Sequence, residues 1–223
     1  MNETTFLIHS VITAFLLLWA LRLGKSALIA IMALFAVLAN IFVVKQMELF
    51  GLTITCSDVF AIGTMLGLSL MQEFFGKKEA KKAMMVSFFC MGVFLVLSQI
   101  HLSYRPSLFD RTQFAFATIF VSTPRIIVAS FIAFYISQLI DIQIYSLLIR
   151  KWGRKAFIFR LCGTGLISQL ADTVIFSFLG LFGIIHSLIH VMIVSFLIKG
   201  IILMITAPFL GLAKYAYRSS EHS

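Results

Sequence analysis

The stretch AFIFRLCGTGLISQLADTVIFSFLGLFGI, residues 156–184, decides the fold. At about 1.5 Å per residue it is long enough to cross the roughly 30 Å hydrocarbon core of a bilayer as a helix. Yet it carries Ser168, Gln169 and Asp172 in its middle, and the same pattern, Ser-Gln-Leu-x-Asp, stands 31 positions earlier at residues 137–141. A carboxylate at mid-membrane costs roughly 2.5–3.5 kcal/mol, so two of them, each with an amide three residues earlier on the same helix face, mark an internal polar site.

Working outward, the rest of the chain has the same character. Of 223 residues, 61% are hydrophobic and only 12% charged, with 24 Phe. The mean hydropathy of +1.03 lies far outside the range of a soluble domain. Seven apolar segments, 5–22, 26–44, 52–75, 83–101, 115–149, 156–184 and 187–213, predict an all-α polytopic membrane bundle in a single domain, residues 1–223. The first reads as a retained helix, because no small-residue cleavage site follows it. The fifth is too long for one crossing, so Pro124 is expected to split off a short piece before a helix starting near Arg125; Pro208 is expected to kink the last helix. Gly63 and Gly67 form a small-xxx-small pattern of helix packing.

Basic residues fix the expected topology. Arg22, Lys25, Lys77, Lys78, Lys81, Lys82, Arg150, Lys151, Arg154, Lys155, Lys214 and Arg218 fall on one side of the seven segments, and Lys45, Arg105 and Arg111 on the other. The positive-inside rule then puts the N-terminus out and the C-terminus in, with Trp19, Trp152, Tyr215 and Tyr217 anchoring the inner interface and Tyr104 the outer one. The net charge of +9 is distributed as these short clusters, which suits lipid headgroups and not nucleic acid. Cys56, Cys90 and Cys162 all lie within the predicted spans at unrelated spacings and imply neither a disulfide framework nor a metal site.

Within the spans the remaining charged residues are Asp58, Glu73, Asp141, Asp172, Arg125, Arg160 and Lys199. Gln138 with Asp141, and Gln169 with Asp172, present an amide and a carboxylate together, and helices joined by a short turn bring the pairs to one cavity. Pairing of Asp172 with Lys199 is the plain structural alternative. Arg125 and Arg160, nearer the helix ends, suit snorkelling to headgroups. Glu73 beside Gln72, and Asn40 with Lys45, suit either solvated helix ends or a site. His186 and His190 have the spacing of a helical metal pair but no further ligand, so no cofactor or metal is expected. Gly24-Lys25-Ser26 lacks the first glycine of a phosphate-binding loop, and neither HExxH nor GxSxG occurs, so an ATPase or a membrane hydrolase has no motif; the chain is read as a non-enzyme.

Read together, Leu38-Ala39-Asn40 with Lys45, the segment from Gln72 to Lys77, Arg125 with Ala129-Ser130, Ser137-Gln138 with Asp141, Ser168-Gln169 with Asp172-Thr173, and Lys199 with Pro208 resemble the YhhQ, or vitamin-uptake-like, family of queuosine-precursor transporters over about residues 36–213. Such proteins commonly have six helices, so the first segment looks like an addition, and many carry an acidic residue where this chain has Ser69. The resemblance implies import of a 7-deazaguanine base, such as queuine, across the bacterial cytoplasmic membrane. The substrate-binding residues it suggests are Asp172, Gln169, Asp141, Gln138, Glu73, Arg125, Lys199 and Asn40, with Phe74, Phe131, Phe134 or Phe176 stacking on the base. The expected partners are that small molecule and membrane lipid, with Gly and Ala stripes leaving room for a homodimer. Alternative readings are the binding subunit of an ATP-driven vitamin importer, or a non-transporting membrane enzyme or assembly factor.

Overall fold

The computed structural model describes residues 2–43, 45–120, 124–152, 157–183 and 188–213. In chain order these form α1 (Asn2–Leu23), α2 (Lys25–Phe42), a hairpin of β1 (Gln46–Leu49) and β2 (Leu52–Thr55), α3 (Asp58–Phe75), α4 (Lys77–Leu102), α5 (Gln113–Phe120), α6 (Pro124–Trp152), α7 (Phe157–Phe176) with a π-helical continuation (Ser177–Leu181), and α8 (Leu188–Leu210). Six of them, α1, α2, α4, α6, α7 and α8, contain stretches long and apolar enough to cross a membrane.

Those six helices form a closed ring in the order α1, α2, α4, α6, α7, α8, each in contact with the next and α8 with α1. The seventh, α3, runs through the centre and touches all six. Every residue of α3 from Ile62 to Glu73 is buried, which over three turns leaves no side facing lipid. That position explains its composition. A helix enclosed by protein can carry Asp58, Thr64, Ser69, Gln72 and Glu73, whereas the ring helices must present Leu, Ile and Phe to the bilayer.

Small residues allow the close approach. A Cβ added at Gly63 would stand 2.8 Å from Thr13 and 2.9 Å from Phe35, and one at Gly67 would stand 2.6 Å from Met32, so this pair seats α3 on α1 and α2 as the spacing predicts. On the opposite side Gly165 of α7 receives Met65 of α3 and Leu203 of α8, each 2.9 Å from its ideal Cβ. Single glycines also make the tightest turns: Gly24 (φ 105°) joins α1 to α2 and Gly76 (φ 88°) joins α3 to α4, in backbone regions that a Cβ disfavours. Both turns lie at the end that carries Arg22, Lys25, Lys77 and Lys78, called here the basic end. There Lys25 pairs with Glu79 at 3.1 Å and Lys77 donates to Gln143 at 2.9 Å.

The other end is closed by the β-hairpin, which the sequence reading places partly within a third membrane segment starting at residue 52. The strands pair antiparallel with Leu49 opposite Leu52, and Phe50 (φ 51°) and Gly51 (φ 75°) make the two-residue turn that such a twist favours. The alternation Leu52-Thr53-Ile54-Thr55 is a strand pattern, and an apolar-run criterion overlooks it. Cys56 consequently sits in the turn after β2 and not within a span. The start of α1 docks on the hairpin, where Asn2 donates to the Glu48 carbonyl at 2.9 Å. As expected, the fifth segment divides into α5 and α6; Pro208 lies inside α8. Trp19, Tyr104 and Trp152 are exposed at the bundle ends, as interfacial anchors are. Arg154, Lys155, His186, Lys214, Tyr215, Tyr217 and Arg218 lie outside the described residues, as does the side chain of His190.

Candidate functional site

One face of α3 carries the site. Asp58, Ser69 and Gln72 recur at intervals of eleven and three residues, close to whole turns of a helix, with Glu73 alongside, so all four look toward α6, α7 and α8. They form a polar column that extends about 22 Å along the helix axis from Asp58 to Glu73.

At the basic end, Arg160 of α7, fully buried, donates through Nη2 to Glu73 Oε2 at 2.5 Å, and Tyr145 of α6 donates its hydroxyl to the same oxygen at 3.0 Å. The Arg160 guanidinium carbon also stands 5.5 Å from the Tyr145 ring centroid. Arg160 therefore does not snorkel as its place near a helix end suggests; its partner comes from a helix distant in sequence. Beside it Gln72 Nε2 donates to the Ile142 carbonyl at 3.0 Å and to Ser146 Oγ at 2.7 Å. These contacts tie α3, α6 and α7 together.

In the middle, Asp141 has no exposure. Its carboxylate accepts from Ser69 of α3 at 3.4 Å and from Ser168 of α7 at 3.3 Å, two long hydrogen bonds. The two Ser-Gln-Leu-x-Asp copies thus do meet on adjacent helices, the serine of the second serving the aspartate of the first. Ser69, where the family resemblance suggests an acidic residue, supplies a donor to Asp141 in place of a like charge.

Toward the hairpin end, Asp172 turns away from α6 to α8. Lys199 Nζ donates to Asp172 Oδ2 at 2.7 Å and to Thr173 Oγ1 at 3.3 Å. The Asp172 side chain keeps 20% exposure against 7% for Lys199, so this pair is the more accessible end of the column. The pairing considered as the plain structural alternative is present; it also leaves one Asp172 oxygen for another donor. Asp58 is buried at the start of α3.

Three carboxamides complete the column. The Oε1 atoms of Gln72, Gln138 and Gln169 are buried and accept no hydrogen bond among the described residues. Buried acceptors in native proteins are nearly always satisfied, and one left without a donor costs about 1–3 kcal/mol. Three in one column constitute an unmet demand for donors.

Two expected site residues lie elsewhere. Asn40 donates to the Ala36 carbonyl within its own helix at 3.0 Å. Arg125, exposed, donates from Nε and Nη2 to the carbonyls of Leu179 and Phe182, both at 2.8 Å, and so holds the π-helical end of α7. Among the ring candidates, Phe131 stacks edge-on against Phe88 at 5.0 Å and Phe74 against Phe157 at 6.5 Å, which is ordinary packing. Tyr145 and Ser146 are the participants the sequence reading overlooks, and Arg160 is one it assigns to headgroups instead; only the turn-like recurrence along α3 hints at the face they meet. No group of three His, Cys, Asp or Glu side chains that could hold a metal ion occurs among the described residues.

The model of the family described as "Putative vitamin uptake transporter" matches residues 55–213. A protein of Bacillus subtilis (strain 168) named "Probable queuosine precursor transporter" is 32% identical over 220 residues, which covers 97% of this chain and 95% of the relative. A match of that extent takes in α1, so the first helix is shared with that relative and is not an addition peculiar to this chain. No solved structure matches.

Proposed function

The chain belongs to the vitamin uptake transporter family and is a multi-pass membrane protein, and from that premise we propose that it imports a queuosine precursor, a 7-deazaguanine base, across the bacterial cytoplasmic membrane. The observation that carries the substrate class is the set of three buried glutamine oxygens without donors in a column flanked by Asp141 and Asp172. A 7-deazaguanine offers N–H donors on its lactam, its 2-amino group and its five-membered ring, and its carbonyl accepts from a carboxamide or from Lys199. A carboxylate accepts two adjacent N–H groups side by side, so Asp172 with Gln169 reads the base edge while Gln138 and Asp141 form the opposite wall.

The transport cycle uses the two ion pairs that close the column. Glu73 with Arg160 and Tyr145 seals the basic end, and Asp172 with Lys199 bars the hairpin end. Entry of the base displaces Lys199 from Asp172; release requires α6 and α7 to part from Glu73 of α3. Arg125 steers this motion through the π-helical end of α7. In this account α3 is the seventh crossing, the hairpin and N-terminus face outward, and the basic end faces the cytoplasm, where its cations satisfy the positive-inside rule.

The test uses bacteria unable to synthesise the base, supplied with it externally, with queuosine in tRNA as the readout. Restoration by this chain, and its loss in Asp172→Asn and Asp141→Asn variants that remain inserted, is the expected result. Normal queuosine levels with both variants would remove the site assignment.

A further inference from the structure

Asp141 differs from Glu73 and Asp172 in what surrounds it. Glu73 is held by Arg160 at 2.5 Å and by Tyr145 at 3.0 Å, and Asp172 by Lys199 at 2.7 Å. Asp141 has no exposure and forms no ion pair among the described residues; it meets the hydroxyls of Ser69 at 3.4 Å and Ser168 at 3.3 Å. A hydroxyl that serves an ionised carboxylate normally stands at about 2.5–2.7 Å, so neither contact has the length of a charge-assisted bond. A lone carboxylate in an apolar interior carries a desolvation cost that two such contacts do not offset, and the usual outcome is a neutral acid.

The described elements packed against α6 bring no cation to this depth. On α3, Glu73 lies one turn beyond Ser69 and is taken by Arg160 and Tyr145, while Asp58 lies eleven residues before Ser69, about 16 Å along the axis. On α7, Arg160 stands eight residues before Ser168, about 12 Å along the axis, and Asp172, one turn after Ser168, is bonded to Lys199 of α8. The buried face of α4 and the π-helical Ser177–Leu181 carry no ionisable group; the α4 lysines sit at the basic end and His101 at the far end. On α6 itself, Tyr145 gives its hydroxyl to Glu73, Tyr135 packs on Phe88, and Arg125, Arg150 and Lys151 stand at the helix ends.

The hydrogens around Asp141 can be counted. Ser168 Oγ stands 3.2 Å from the Gly165 carbonyl oxygen of its own helix and 3.3 Å from Asp141 Oδ1, and it owns one hydrogen. Beside a carboxylate both neighbours are acceptors, and that hydrogen serves only one of them fully. Beside an acid the count closes: Oδ1–H donates to Ser168, Ser168 donates to Gly165, and Ser69 donates to Oδ2.

We propose that Asp141 is a proton-binding site: it is a neutral carboxylic acid while α3, α6 and α7 are packed together, donating through Oδ1 to Ser168, and it exchanges that proton with water whenever the basic end opens. Opening there parts α6 and α7 from α3 and so takes Asp141 from Ser69. A carboxyl in water is ionised at neutral pH. The Oδ1–H bond breaks, its electron pair stays on the carboxylate and the proton goes to water; closure reverses the step. The exchange during transport rests on the import reading, whereas the protonation of the packed bundle does not.

Infrared spectroscopy of the purified full-length protein at neutral pH tests the protonation. The wild type should show the carbonyl stretch of a protonated carboxyl, which moves when water is replaced by heavy water. Asp141→Asn should lose that band and Asp172→Asn should keep it. A wild type without the band, or a band that Asp141→Asn leaves unchanged, overturns the proposal. Should Asp141→Asn fail to fold, Ser168→Ala decides, because it keeps the acid and removes its acceptor: a shifted band supports the assignment and an unmoved one overturns it. Uptake of a 7-deazaguanine into proteoliposomes with equal pH inside and out tests the exchange. Its initial rate should fall at least about tenfold between about pH 6 and about pH 9, since reclosure needs the acid and each unit above half-protonation leaves about a tenth as much of it. A rate that stays flat over that range overturns the exchange. If no base enters at any pH, the import reading fails and the infrared bands still decide the proton site.

Discussion

Replacing Arg160 by Met removes the only full positive charge bonded to Glu73 among the described residues and leaves that carboxylate, 6% exposed, beside the Tyr145 hydroxyl alone. Breaking a buried ion pair by deleting one partner costs about 3–5 kcal/mol, because the surviving charge keeps its desolvation penalty and loses its compensation. For a chain of this size, roughly 2–4 °C of midpoint accompanies each kcal/mol, so the Arg160→Met protein should unfold roughly 6–20 °C below the wild type. Glu73→Gln alone should also lower the midpoint, since it removes the carboxylate of the pair. The double variant removes both charges and should recover most of the loss. Thermal unfolding of the four purified proteins in one detergent measures this cycle. If the single variants melt within a few degrees of the wild type, or the double variant loses the sum of the two, Glu73 and Arg160 do not form the buried lock described here.

Two further outcomes follow from the architecture. Gly63→Val should destabilise the bundle by about 1–3 kcal/mol or more, because its side chain must displace Thr13 and Phe35 where even a Cβ is 2.8–2.9 Å away, whereas Gly92→Val, with open space around it, should melt near the wild type. In a background with Cys56, Cys90 and Cys162 changed to Ser, a cysteine placed at Phe109, which is 90% exposed in the loop before α5, should react with an impermeant maleimide in intact cells, and one placed at Lys81 only after permeabilisation; the reverse labelling would invert the topology.

Much of the helical membrane plan is readable in the chain because lipid imposes long apolar segments, a local property. The division at Pro124 and the packing role of Gly63 and Gly67 were readable for the same reason. The central place of α3 was not, since enclosure by six neighbours is a property of the assembled ring; its higher polarity is the trace that enclosure leaves. The hairpin at residues 46–55 was hidden by reading Leu52-Thr53-Ile54-Thr55 as part of an apolar run. Asp141 and Asp172 stood out because isolated carboxylates in lipid are conspicuous. For Asp172 the partner Lys199 is legible as the other buried charge of the neighbouring span, but for Asp141 the partners Ser69 and Ser168, 72 and 27 residues away, are not, since serines on an apolar helix carry little signal by themselves. Arg160 reads as a snorkelling residue from its distance to a helix end, whereas its burial is decided by Glu73 on the facing helix.

The central claim is that this chain by itself carries a 7-deazaguanine base through the column between α3 and α6, α7 and α8. Uptake of a radiolabelled base into proteoliposomes containing only the purified protein tests it most directly. The account predicts label inside at levels well above protein-free vesicles, with at least a tenfold lower initial rate for Asp172→Asn, the loss expected when a charge-assisted contact worth about 1.5–3 kcal/mol is removed. Wild-type vesicles that take up no more than empty ones would contradict it.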